Sequence, residues 1–161
     1  IFIDVVQYQP KVFIFGAGHV GQNLANTLVG TPYKVHLIDT RDEWIQHENL
    51  SPDIIKISEN PLEFVMNKDW LHQSSLVLIM THSHQLDFDL LSNLVDKNLL
   101  YLGLIGSQTK WLRFKKRLEE KEFEENDIFK VKCPIGIPIG GKAPKEIAIS
   151  VSAELLGILY N

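Results

Sequence analysis

The chain has 161 residues and a mass of 18.4 kDa, with 45% hydrophobic and 22% charged content, enough for one full core and too little for two domains. Its 16 basic and 20 acidic residues give a net charge of −4, so bulk electrostatics draw it neither to nucleic acid nor to an anionic membrane. No apolar run approaches the roughly 20 residues that cross a bilayer, and the single cysteine, Cys133, cannot form an internal disulfide, so a cytoplasmic setting is expected.

Residues 1–10 are expected to form a leader strand or the remnant of a preceding region, and residues 11–161 one Rossmann-like domain. Five apolar, β-branched runs follow in order: Val12–Phe15, Val35–Ile38, Ile54–Ile57, Leu76–Met80 and Leu99–Ile105. They lack polar alternation, which suits strands covered on both faces of a parallel sheet. Between them lie helical stripes, Val20, Leu24 and Leu28 first, then Leu86, Leu90, Leu91, Leu94 and Val95. This alternation predicts an α/β, doubly wound parallel sheet with helices on both faces, read in the Rossmann order 3-2-1-4-5. Beyond the fifth strand the pattern predicts a helix over 107–122, with Trp111, Phe114 and Leu118 inward and Lys110, Arg113 and Lys115–Arg117 mostly outward. A Gly/Pro-rich loop from Cys133 to Lys142 then leads to a last helix over 144–159. Pro144 suits its first position, and Ile147, Val151, Leu155 and Ile158 form its apolar stripe.

Gly16-Ala17-Gly18-His19-Val20-Gly21 follows the first strand and opens a helix. In that setting Gly16 permits the tight turn, Gly18 lets a pyrophosphate approach the backbone, and Gly21 lets helix and strand pack closely. The helix then offers its first N–H groups to phosphate. Asp39 ends the second strand about 18 residues on, where a ribose-binding carboxylate belongs. This favours NAD, while Arg41 leaves a 2′-phosphate, and so NADP, open. A nucleotide shell that serves another phosphate ligand fits the same glycines.

Thr81, His82, Ser83, His84 and Asp87 leave the fourth strand, beside the first at the switch point of such a sheet. Three assignments stay open for them. His82, His84 and Asp87 have the chemistry of a divalent-metal site. The imidazoles also suit ligand binding or proton transfer, with His82 or His84 as an acid-base group. Otherwise Thr81 and Ser83 simply cap a helix. Gly106 and Ser107 close the fifth strand either as an anion site or as a turn with Ser107 as N-cap. Gly140-Gly141-Lys142 is a second candidate anion cradle, with Lys142 as a point charge. Glu154 falls in line with Ile147 and is expected to be paired or to face a pocket. Cys133 reads as a small buried apolar residue.

Taken together, these strings resemble the carboxy-terminal Rossmann domain of the XdhC/CoxI family, the xanthine dehydrogenase accessory proteins. The resemblance rests on Val12–Gly21, Met80–Asp87, Gly103–Ser107, Lys110, Arg113, Phe114, Pro134–Lys142 and Pro144 through Glu154. It implies a non-catalytic maturation protein that binds molybdenum cofactor, protects it during sulfuration, and delivers it to a molybdenum hydroxylase such as xanthine dehydrogenase. A sulfurating enzyme is then a further implied partner, and a homodimer through the leader strand and last helix is an open arrangement. Family members usually carry another amino-terminal domain, to which nothing in this sequence corresponds, and often a hydroxyl residue where Ala143 stands. The rival reading is an NAD(P)-dependent oxidoreductase.

Overall fold

The computed structural model describes residues 9–70 and 74–161; most of the expected leader strand lies outside the described residues. The elements run β1 (Lys11–Phe15), α1 (His19–Leu28), β2 (Lys34–Asp39), α2 (Asp42–Ile45), β3 (Ile55–Ser58), α3 (Pro61–Asn67), β4 (Ser75–Ile79), α4 (His84–Leu94), β5 (Tyr101–Leu104), α5 (Gln108–Glu120), α6 (Glu125–Phe129), β6 (Val131–Lys132) and α7 (Pro144–Tyr160). All the strand pairings are parallel, in the order β3-β2-β1-β4-β5-β6.

The unbroken apolar strands follow from burial on both faces. Side chains alternate across a strand, so Val12 and Ile14 enter one core with Leu76 and Leu78. Phe13 and Phe15 enter the other with Val77 and Ile79. α1 and α7 close the first core, through Leu24, Ala25 and Leu28 on one helix and Ala148, Val151 and Leu155 on the other. α4 and α5 close the second, through Phe88, Leu91, Leu94, Phe114 and Leu118. The fifth strand is shorter than its apolar run, and β6 is an addition to the expected five. Two residues at a sheet edge leave no periodicity to read.

Three helix starts are built from side chains. Asn60 accepts from the Leu62 and Glu63 amides before α3, Ser83 from Leu86 N before α4, and Ser107 from Lys110 N before α5. At α7 the Glu146 carboxylate reaches back to Ala143 N at 2.9 Å. The starts of α1, α2 and α6 have no side-chain cap, and at α1 the N-cap is Gly18.

The glycine turn is fixed by close approach. Gly16 has φ +114°, and a Cβ there would overlap the Met80 carbonyl; a Cβ on Gly21 would overlap the Gly16 carbonyl. A Cβ on Gly18 meets nothing within 4 Å. Gly21→Ala is therefore expected to lower the unfolding free energy by about 1–3 kcal/mol, whereas Gly18→Ala stays within about 0.5 kcal/mol. Urea unfolding of both variants checks this; equal midpoints would contradict the packing.

Candidate functional site

The turns singled out in the sequence gather at the carboxyl ends of the central strands. Gly16 N donates to Ile38 O, Met80 N to Phe15 O and Ile105 N to Ile79 O, each at 2.9 Å. The exits of β1, β2, β4 and β5 are thereby bound side by side, with the crevice at the switch point between β1 and β4. The first amides of α1 open onto this edge with no side chain to satisfy them.

Asp39 sits on one flank, 4% exposed. Its Oδ2 accepts from Ala17 N at 2.7 Å and Arg41 Nη2 at 2.7 Å, and its Oδ1 from Arg41 N at 3.0 Å and Arg41 Nε at 2.9 Å. A carboxylate has about four lone-pair sites, and each here has a donor. Burial pushes the Asp39 carboxyl up, but the bonds from Arg41 and Ala17 outweigh it and hold it below its ordinary value. Arg41 also lies over the Trp44 ring, 5.1 Å from its centroid, and His19 meets the same ring edge-on at 4.9 Å. In this arrangement Asp39 fastens the glycine turn to the end of β2. Ala17 is turned inward, with its amide engaged and its side chain buried.

Asp87 occupies the other flank, fully buried. Lys110 Nζ donates to its Oδ2 at 2.6 Å and to the Ile105 carbonyl at 2.8 Å. Thr81 N donates to Asp87 Oδ1 at 3.0 Å, and Thr81 Oγ1 lies 2.7 Å from the same oxygen. The expectation that Lys110 points outward is corrected: it is 6% exposed. Its side chain runs beneath Gly106, where a Cβ would strike Lys110 Cδ. The spacing holds the missed signal, because Lys110, Phe114 and Leu118 stand four residues apart on one helical face.

With Asp87 turned into this pair, His82 and His84 remain exposed at the rim. Among the described residues no three His, Cys, Asp or Glu side chains are grouped to hold a metal. Ser107 acts as N-cap, accepting from Lys110 N at 3.2 Å. Lys142 is exposed, and its segment is tied to α1 through Lys145 Nζ, which donates to Thr27 Oγ1 at 3.0 Å. That contact lies in the last turn of α1, away from its glycine end.

The loop before α7 is pinned from below. Glu154 Oε2 accepts from Tyr101 Oη and from Gly136 N, both at 2.7 Å, and Ser150 Oγ donates to the Ile137 carbonyl at 2.6 Å. Of the two expectations for Glu154, pairing is the one the structure shows. Cys133 is half-buried, with its thiol pushed up to about 11 by burial.

A groove of about 500 Å³ runs between α1 and α2, past His19, Gln22, Trp44 and His47. A larger hollow of about 740 Å³, lined by Trp70, Ser92, Asn93 and Asp96, lies near the end of α4. Because α4 starts at the carboxyl end of β4, that hollow is at the opposite edge of the sheet from the motifs.

The fold and this edge define a Rossmann-type domain whose glycine turn presents uncapped helix amides at the switch point. The chain belongs to the XdhC Rossmann domain family, whose model matches residues 12–155. It is 29% identical over its whole length to the uncharacterized protein YqeB of Escherichia coli, covering 29% of that protein. It is 28% identical over 156 residues to a probable xanthine dehydrogenase subunit of Bacillus subtilis, covering 97% of this chain and 45% of that one. Among solved structures it resembles one described as a xanthine dehydrogenase from Bacillus halodurans, with a TM-score of 0.79 and 27% identity, covering 94% of this chain and 43% of that one. The chain spans less than half the length of these relatives.

Removing one partner of a buried ion pair leaves the other charge uncompensated. Lys110→Met is expected to destabilise the domain by about 3–5 kcal/mol, and adding Asp87→Asn to it should recover a large part of the loss. Urea unfolding of the single and double variants checks this; a Lys110→Met protein as stable as the parent would contradict the role assigned to the pair.

Proposed function

We propose that this domain is the cofactor-binding module of an accessory protein for a molybdenum hydroxylase of the xanthine dehydrogenase type. It captures a phosphate-bearing cofactor and performs no bond chemistry itself. The observation that carries the reading is the start of α1, where a glycine stands at the N-cap and leaves the first amides open. There is room at Gly18 for an approaching phosphate. Such amides, with the positive end of the helix dipole, are a ready anion site. Membership of the XdhC family and the name of the Bacillus subtilis relative support the choice of pathway.

Molybdenum cofactor fits this donor set through its phosphate, and when bound it supplies the redox-active metal centre that the client enzyme needs. Gly18, His19, Val20 and Gly21 hold the phosphate through backbone N–H groups. Thr81 and His82, leaving β4 beside the glycine turn, face the remainder of the ligand, and Gly106 and Ser107 shape the far wall. The buried flanks keep the turns in register, so that ligand binding requires no rearrangement of the sheet. Delivery to the hydroxylase, acceptance of sulfur from a sulfurating enzyme, a cytoplasmic site of action and pairing as a homodimer belong to the same proposal. No helix among the described residues is long and apolar enough to cross a membrane.

The rival reading, an NAD(P)-dependent oxidoreductase with His82 or His84 as acid-base group, has the glycine fingerprint in its favour and predicts nicotinamide turnover by the isolated chain. Gly18→Asp separates binding from folding, because its side chain enters open space while its charge opposes phosphate. The variant should unfold at the parent's urea midpoint and bind isolated molybdenum cofactor at least about tenfold more weakly, a loss of about 1.4 kcal/mol. Equal retention of the cofactor by both proteins on gel filtration would overturn the proposal.

A further inference from the structure

Asp39 occupies the position from which a Rossmann domain recognises the ribose of a dinucleotide, yet its carboxylate is closed to any ligand. Four donors meet it: the Ala17 amide and three groups of Arg41. The Arg41 guanidinium takes one lone pair on each oxygen in a bidentate fork, the strongest geometry available to that pair. It is held there from a second side by the Trp44 ring. The ion pair is not a loose surface contact, since the side-chain exposures are 26% for Arg41 and 5% for Asp39.

We infer that Arg41 is the selectivity residue of this crevice: by saturating Asp39 it withholds the carboxylate from ribose hydroxyls, so the site takes phosphomonoester ligands by their phosphate and discriminates against NAD. The inference rests on the glycine-turn reading above and narrows its ligand class. A 2′,3′-diol reaching Asp39 would have to displace Arg41 Nε and Nη2, losing two charge-assisted hydrogen bonds to form two in their place. It would also strand the guanidinium. The same neutralisation weakens Arg41 as a receptor for a ribose 2′-phosphate, because its charge is already matched by a carboxylate at 2.7 Å. Phosphate bound at Gly18–Gly21 needs neither side chain. A pterin monophosphate therefore suits this site, and a dinucleotide gains nothing there from its ribose.

The test is a gain of binding. Arg41→Met keeps an unbranched stem over Trp44 and removes the guanidinium donors, freeing one lone pair on each Asp39 oxygen. Binding of NAD, NADP and inorganic pyrophosphate is measured by calorimetry for the full chain and for the variant. Arg41→Ala serves as a second variant, and urea unfolding confirms that both are folded. The ratio of NAD affinity to pyrophosphate affinity should rise at least about tenfold on removal of the guanidinium, since the freed carboxylate then accepts charge-assisted hydrogen bonds from the ribose hydroxyls. Adding Asp39→Asn should abolish the gain. An unchanged ratio overturns the inference. So does a parent that binds NADP more tightly than NAD and loses that preference with Arg41, for then Arg41 is a 2′-phosphate ligand. If the parent binds pyrophosphate and the variant gains no NAD affinity, only the selectivity claim fails. If neither protein binds pyrophosphate or NAD, the glycine-turn reading fails with it.

Discussion

A carboxylate taken out of water must be met by donors on nearly all its lone pairs, or it is too costly to keep ionised in the fold. The top of this sheet meets that requirement twice, once on each side of β1. Asp39 draws the glycine turn and the end of β2 together, through the Ala17 amide and Arg41. Asp87 draws the Thr81 turn, α4, α5 and the end of β5 together, through Lys110, which also holds the Ile105 carbonyl. Two acids that face inward thus tie β1 to β2 and β4 to β5, and the bond from Met80 N to Phe15 O joins the two pairs. What remains at the lip is a set of backbone amides and the exposed imidazoles of His19, His82 and His84, with both acids engaged by the protein's own donors.

Much of this architecture is legible in the residues. The five apolar runs mark the strands because burial on both faces removes polar alternation. The β-α rhythm and the handedness of crossovers mark a doubly wound parallel sheet, and Gly16 and Gly21 mark the turn because close backbone approach excludes a side chain at both. The stripe of α7 is equally visible, and Glu154 on it reads as paired or facing a pocket, of which the fold shows the pairing. The two acids are not legible as fasteners. In one dimension Asp39 has the spacing of a ribose ligand and Asp87 stands three residues from His84. Only the fold shows that Arg41 curls back on the first and that Lys110, more than twenty residues away, reaches the second.

Lys110 misleads in the sequence because its charge outweighs its position. It shares a face with Phe114 and Leu118, and a long aliphatic stem lets a lysine cross an apolar layer to a buried acid. Gly106 belongs to the same feature, since any side chain there would collide with that stem. β6 is hidden for a different reason, being two residues of sheet edge. The loop before α7 carries a further lesson. Its glycines and Lys142 suggest a second anion cradle, yet the ordered features of that segment are its ties to Glu154, Ser150 and, through Lys145, the far end of α1. Sequence spacing identifies a shaped loop without revealing which end of the fold it serves.

In the proposed reading an anion is held by the backbone at the start of α1. Amide chemical shifts of isotopically labelled protein, followed during titration with inorganic pyrophosphate, test it most directly. Saturable shifts are expected to concentrate at the Gly18, His19, Val20 and Gly21 amides, with Ala17 little moved because its N–H is already committed to Asp39. Shifts confined to Lys142 and its neighbours, or no saturable shift at the glycine turn, would contradict it.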